Sequence, residues 1–430
     1  MPHQWVRDHP KFLTLLTARV ISRAGDVLYT LAATWSVLTT THSILGASLI
    51  PLLNVVPDLV LALPLATLAD RWSKKPLMVS MDFVRAAVVG TAGLLLLHGP
   101  MPPLALYALT LLLNVGALLF APASSAMMRL TVPPDRLTDA NGLWQSSLSV
   151  LSVVSFGVGG VLVALVSPAR ALLLDAMSFL VSGSVLAAVA WPDIRAAVST
   201  GGFGFLSDAL LGLRYFWDDA VLRRLLLLIA PVNVLFGPML IFSAAFSNRV
   251  LHTGAVGFGI IEMAAGLGSI VAGLVVGWAS RRASFTFWLF ALLGSGALEL
   301  AGSAFARNLW VTAGLYTVGW AVSGVFNIPF VSAVQRAVPA EQVGRVMQTL
   351  FLVASGVTVP LGLLLGSFGM DHWGVVRVLY LEAGCYGVVA LAALVFPIQR
   401  QDPHPVFEAF GSRGPRADAS GPQGAANHRE

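Results

Sequence analysis

About twelve apolar stretches, each long enough to cross a bilayer, follow one another along this 430-residue chain. A helix spanning a ~30 Å hydrocarbon core needs about 20 mainly apolar residues. Such stretches run over roughly 13–38, 45–69, 77–98, 104–128, 141–166, 170–191, 224–247, 255–280, 285–305, 309–335, 344–369 and 374–397. The loops between them are mostly too short to hold a soluble domain. The first stretch is too long and too charged for a signal-peptide core and reads as a retained helix. With 57% hydrophobic and 11% charged residues, a soluble globular class is excluded. The longest loop, Pro192 to Arg223, carries a Gly201-Gly202 break. An amphipathic segment follows, with Leu206, Leu210, Leu213 and Trp217 on one face, suited to a helix in the membrane interface. The tail beyond Pro397 is rich in Gly, Pro, Ala, Asp and Arg and reads as disordered.

The net charge of +5 does not indicate nucleic-acid binding, because the basic residues alternate between loops. Nineteen fall at the termini or in alternate loops, including Arg71, Lys74, Lys75, Arg129, Arg136, Arg281, Arg282 and Arg345. The opposite loops carry four: Arg170, Arg249, Arg307 and Arg377. By the positive-inside rule this puts both termini in the cytoplasm, and an even number of spans such as twelve fits. The lone Cys385 excludes an intrachain disulfide and a cysteine-built metal site. The histidines show no metal-ligand spacing and no G-x-x-x-x-G-K-[ST] loop is present, so no metal, cofactor or direct use of ATP is expected.

The halves repeat. Val132-Pro133-Pro134-Asp135-Arg136-Leu137 aligns with Val338-Pro339-Ala340-Glu341-Gln342-Val343, 206 positions later. Leu68-Ala69-Asp70-Arg71 aligns with Trp278-Ala279-Ser280-Arg281, 210 positions on. The nearly equal offsets indicate a parallel six-plus-six repeat. The expected fold is an all-α integral membrane protein with twelve transmembrane helices in two pseudo-symmetric six-helix bundles. Residues 1–191 form the first bundle, 192–223 the linker, 224–399 the second bundle and 400–430 the tail.

Eleven charged side chains lie within or at the ends of these stretches: Arg19, Arg23, Asp26, Asp58, Asp82, Arg85, Asp175, Glu262, Glu299, Arg377 and Glu382. Charge in a bilayer costs at least a few kcal/mol per group, so such residues usually face a partner, a cavity or a substrate path. At about 100° per residue, Arg19, Arg23 and Asp26 fall within about 60° of one another and form one stripe. Asp58 adjoins Pro57, one turn from Asn54, with no cation nearby on its own helix. Two readings stay open for this cluster. One is a structural ion-pair network locking the first two helices; the other is a proton or substrate site in which Asp26 or Asp58 titrates. Glu262 lies between glycine-rich turns and is a third coupling candidate, while Glu299 is isolated from cations on its helix. Glu382, five residues after Arg377, is expected to be its structural partner, and Asp175 to serve structural closure near the outer face.

Ala66-Thr67-Leu68-Ala69-Asp70-Arg71-Trp72-Ser73-Lys74-Lys75-Pro76-Leu77-Met78 resembles the signature loop of the major facilitator superfamily, G-x-L-a-D-R-x-G-R-R-x-x-L. Ala66 and Ser73 stand where the family has glycine. Asp82-Phe83-Val84-Arg85 resembles the D-x-x-R of bacterial efflux permeases. Leu174-Asp175-Ala176-Met177-Ser178-Phe179-Leu180 is similar to the L-D-A-x-S-F-L of the macrolide-efflux and enterobactin-exporter group. Of the antiporter signature G-P-x-x-G-G, only Gly159-Gly160 remain, with Ser155-Phe156 replacing Gly-Pro. The resemblance implies the major facilitator fold and a cytoplasmic latch of Asp70, Arg71, Lys74, Lys75, Asp82, Arg85 and Arg345. In it Asp70 sits near the N-terminus of the eleventh helix, a position worth roughly 0.3–1 kcal/mol to a carboxylate, and Lys74 or Lys75 pairs with Asp82.

Polar and aromatic cavity candidates are Tyr29, Asn54, Asn114, Gln145, Asn233, Phe236 and Asn327. A mostly apolar cavity with scattered polar groups suits amphiphilic substrates. The resemblance implies a monomeric secondary transporter of the bacterial cytoplasmic membrane, in contact with membrane lipid, exporting drug-like or siderophore-like small molecules in exchange for protons. A lysophospholipid flippase of the same superfamily, or a non-transporting sensor or scaffold, remains open; an enzyme is not expected.

Overall fold

The computed structural model describes residues 8–191, 214, 217–218, 220–338 and 343–395. The side chains of Asp58, Asp70 and Arg345 lie outside the described set, as do most of the linker and the whole tail from 396. The described residues are all helical or in turns. The helices are α1 (Pro10–Thr41), α2 (Ile44–Asp70), α3 (Lys74–His98), α4 (Pro103–Thr131), α5 (137–166) and α6 (168–188). There follow α7 (Leu222–Leu251), α8 (Gly254–Ala279), α9 (Phe285–Ala306), α10 (Leu309–Ala337), α11 (343–373) and α12 (Val375–Val395). Nine helical runs among the described residues are long and apolar enough to cross a membrane, α5 and α6 counting as one.

Local chemistry sets the boundaries. Ser167 has a positive φ of 76° ahead of Pro168, which lacks an N–H, and this breaks the run between α5 and α6. Ser43 caps α2 through a 2.9 Å bond from Gly46 N, and Asn308 caps α10 by accepting from Trp310 N and Val311 N. Several helices are irregular inside. α2 contains Pro51, Pro57 and Pro64, α4 contains Pro122 and α10 Pro329, α7 breaks at Gly237-Pro238, and α11 passes through a π-helical segment, Leu352–Thr358.

The packing pattern recurs along the chain. Helix α3 packs on α4 and α6 as α9 packs on α10 and α12, and α2 packs on α4 as α8 packs on α10. Helices α5 and α8 cross where Gly160 and Gly259 abut, so a Cβ on either would lie under 3 Å from the other's backbone. Close backbone approach of this kind is the usual device for tight helix association in lipid. Gly259→Val is therefore expected to loosen the crossing and lower the melting temperature in detergent by several degrees, whereas Gly273→Val, which meets open space, should change it little.

Candidate functional site: a buried charge network and a seal at one end

Helices α1, α3 and α6 bring six charged side chains together inside the first six helices. Asp26 on α1 is hydrogen-bonded to the Arg85 guanidinium of α3, and Arg23 lies 3.7 Å from the other Asp26 oxygen. Asp82, one turn before Arg85, is 3.9 Å from its Nη1 and accepts a 2.6 Å bond from Ser182 Oγ on α6. The Arg85 guanidinium carbon stands 4.0 Å from the Phe179 ring centroid, a cation–π contact that helps a desolvated arginine. Asp175 of α6 presses against Gly25, where a Cβ would overlap its carboxylate. The stripe foreseen on α1 thus faces the D-x-x-R turn of α3 and the L-D-A-x-S-F turn of α6. Arg19, on the same stripe, lies 5.4 Å from the Phe120 ring.

The network is incompletely satisfied. Arg85 and Asp82 are 2% and 0% exposed, yet Arg85 Nε and Nη1, Asp82 Oδ1, Asp175 Oδ2 and Arg19 Nη1 have no hydrogen-bond partner. Buried polar atoms are bonded in the great majority of cases, so five orphans in one cluster mark a place where a proton or polar guest changes the energy most. Asp26, Asp82 and Asp175 are matched in number by Arg19, Arg23 and Arg85, of which Arg23 is about half exposed.

Several expectations are corrected here. Asp82 and Arg85 belong to this interior network rather than to a latch at the helix ends. Lys74 and Lys75 do not pair with Asp82: Lys74 Nζ donates to Ala69 O, and Lys75 Nζ to Ala187 O and Val189 O. They cap the C-terminal ends of α2 and α6, where carbonyls and dipole favour a cation. Arg71 is exposed at the C-terminal end of α2. Asp175 is fully buried against the middle of α1 instead of closing an end. Glu382 is 8% exposed and forms no ion pair with Arg377 among the described residues.

The polar candidates scatter. Tyr29 OH is held by Thr110 Oγ1 at 2.8 Å and Leu106 O at 3.3 Å, which makes it an α1–α4 packing group. Asn114 Nδ2 donates to Asn54 O at 3.1 Å, so these two do meet, between α4 and α2. Asn233 Nδ2 bonds Ile229 O of its own helix, Asn327 bonds Ser323, and Gln145 is exposed on α5. Phe236 packs edge-on against Trp320, 5.5 Å between centroids. Glu262 accepts a bond from Ser243 Oγ of α7.

A second feature lies where α1 ends and α2 begins, at the end of the bundle away from Pro10. Asp371, in the last turn of α11, accepts from Ser43 Oγ at 2.8 Å, Ile44 N at 2.8 Å and Leu45 N at 2.9 Å. Arg249 at the end of α7 donates to His42 O, and Trp35 stacks on Phe258 across α1 and α8. This end is closed by hydrogen bonds between α1–α2 and α7–α11. Asp371 was missed in the sequence, although one signal was available. An acid in the last turn opposes its own helix dipole and so needs a positive partner elsewhere.

The family model of the Major Facilitator Superfamily matches residues 15–357. The chain belongs to this superfamily. Macrolide efflux protein A of Streptococcus pyogenes is 23% identical over 389 residues, covering 84% of this chain and 91% of that protein. The multidrug efflux pump Tap of Mycobacterium bovis (strain BCG / Pasteur 1173P2) is 26% identical over 395 residues, covering 89% and 93%. Among solved structures, the nucleoside transporter NupG superposes with a TM-score of 0.68 at 15% identity, covering 91% of this chain and all of that one. A bacterial homologue of the iron transporter ferroportin in an inward-facing state gives 0.67 at 16%, covering 91% and 99%. The protein is a multi-pass membrane transporter, not an enzyme.

Proposed function

We propose that this transporter exports amphiphilic, drug-like or siderophore-like molecules from a bacterial cytoplasm in exchange for protons, by rocking residues 1–191 against residues 224–399. The observation that carries the reading is the buried Asp26–Arg85–Asp82 network with Asp175 beside it, in which five polar atoms are unpaired. A proton taken up by one of these carboxylates, and released to admit a cationic or polar substrate, couples the two fluxes. The efflux function of the relatives supports the direction of transport. With twelve spans, cytoplasmic termini and an inner-membrane location, as the loop charges indicate, the sealed end is the outer one.

The test is retention of a macrolide, ethidium and a catecholate siderophore in efflux-deficient cells, with and without a protonophore. Wild type is expected to lower retention of at least one compound, and the protonophore to abolish the effect. Asp26→Asn is expected to lower efflux at least tenfold with normal protein levels, and Asp70→Asn and Asp58→Asn are compared beside it. Protonophore-insensitive export, or full export by Asp26→Asn, would overturn the coupling role of this network. Unchanged retention of every compound would overturn drug efflux in favour of lipid translocation.

A further inference from the structure

Helices α7, α9, α10 and α12 line a small, partly open cavity among the second six helices, away from the charge network. Its wall includes Phe236, Ser295, Glu299, Trp320, Ser323 and Tyr386. Phe236 and Met239 reach it because α7 breaks between them at Gly237-Pro238. Breaks in membrane helices concentrate at sites that bind ions or substrates, since irregular backbone is tolerated only where it lines protein or a cavity. The free volume is about 40 Å³. That is far below the ~300–1,000 Å³ of drug-sized sites, and sufficient for a dehydrated monovalent ion or a water or two.

Glu299 is 4% exposed and its Oε1 has no hydrogen-bond partner. Its other oxygen lies against Gly319, where a Cβ would overlap it. Tyr386 of α12 lines the cavity beside it, and Tyr316 of α10 donates its hydroxyl to Met239 O in the same wall. Glu382 Oε2 is likewise unpartnered, and no described ion pair supplies these acids with a cation. An isolated buried carboxylate is too costly to persist, and no side chain among the described residues forms an ion pair with it.

We propose that this cavity is a binding site for one monovalent cation, a proton or a sodium ion, carried on the Glu299 carboxylate with the Ser295, Ser323 and Tyr386 hydroxyls lining the remainder of its shell. It is a second site, in the C-terminal half, distinct from the Asp26–Arg85 network, and it stands whatever molecule is exported. Hard oxygen donors and an aromatic wall of Phe236 and Trp320 suit a small, weakly held cation that must leave again each cycle. The position beside the α7 break ties occupancy to the shape of a helix that reaches the sealed end through Arg249.

The test uses the purified full-length protein in detergent. Melting is followed in sodium chloride against choline chloride at equal ionic strength, and the infrared carboxylic-acid stretch is followed between pH 5 and 9. A ligand at 100 times its dissociation constant raises the melting temperature by a few degrees. A sodium-specific rise in wild type that Glu299→Gln lacks supports the site with sodium as its ion. No sodium effect, but a pH-dependent acid band that Glu299→Gln lacks, supports it with the proton. Identical behaviour of wild type and Glu299→Gln in both readouts overturns it. Gly319→Ala, which keeps the carboxylate but takes its space, is the second variant, expected to weaken whichever response is found; an undiminished response would also overturn the proposal.

Discussion

Arg85→Leu is expected to be the most damaging single substitution in this protein. It removes the cation that Asp26 contacts directly and that Asp82 faces at 3.9 Å, and leaves both acids in the bundle interior. Removing one partner of a buried ion pair costs about 3–5 kcal/mol, because the uncompensated charge remains buried. The cation–π contact with Phe179 adds about 1–2 kcal/mol when desolvated. Asp82 keeps its bond from Ser182, and Asp26 keeps the half-exposed Arg23 at 3.7 Å, which places the loss toward the lower end of that range. Denaturation of the purified protein should show a drop of that size, with transport abolished. The double variant Asp26→Asn with Arg85→Leu removes both charges and should regain more than half of the lost stability while staying inactive. Recovery of stability without activity separates a network needed for folding from one needed for transport. A single variant within about 1 kcal/mol of wild type would mean that Arg85 does not neutralise Asp26.

The elements of this network were readable in the sequence, but their assembly was not. Helical periodicity placed Arg19, Arg23 and Asp26 on one stripe, and the Asp82–Arg85 spacing marked one turn of α3. Which helix faces which is set by tertiary packing, to which a single apolar stretch is blind, and Lys74 and Lys75 offered a nearer and misleading partner for Asp82. Glu382 and Arg377 show the opposite fault. Five residues at about 100° each place two side chains some 140° apart, so sequence proximity alone should not have paired them. The irregularities of the C-terminal half were only half visible. Gly237-Pro238, beside the cavity, advertises a break, whereas the π-helical turn at Leu352–Thr358 of α11 has no such mark.

Asp371→Ala is expected to unseal the end of the bundle at which α11 meets α2. The carboxylate accepts three bonds from the first residues of α2, two of them from backbone N–H groups that no helical carbonyl can satisfy. Charge-assisted hydrogen bonds contribute about 1.5–3 kcal/mol each at most, and the favourable end of the α2 dipole adds about 0.3–1 kcal/mol. Water replaces part of this when the end opens, so a net loss of about 2–3 kcal/mol is reasonable. That equals a roughly 30- to 140-fold shift toward the open arrangement. Ser43→Ala removes only one of the three bonds and should shift it less than tenfold. Spin labels on Leu104→Cys and Trp310→Cys, in a Cys385→Ser background, sit on exposed positions at this end. Wild type should give a dominant short distance and Asp371→Ala a dominant long one. An unchanged distribution would assign the seal instead to Arg249, Trp35–Phe258 and the glycine crossing, which are left intact by the substitution. If the seal does open, binding an inward-loaded substrate must overcome the same free energy to restore it. The variant should therefore show weaker apparent affinity from the N-terminal side and stronger affinity from the opposite one, the two factors multiplying to the shift in the equilibrium.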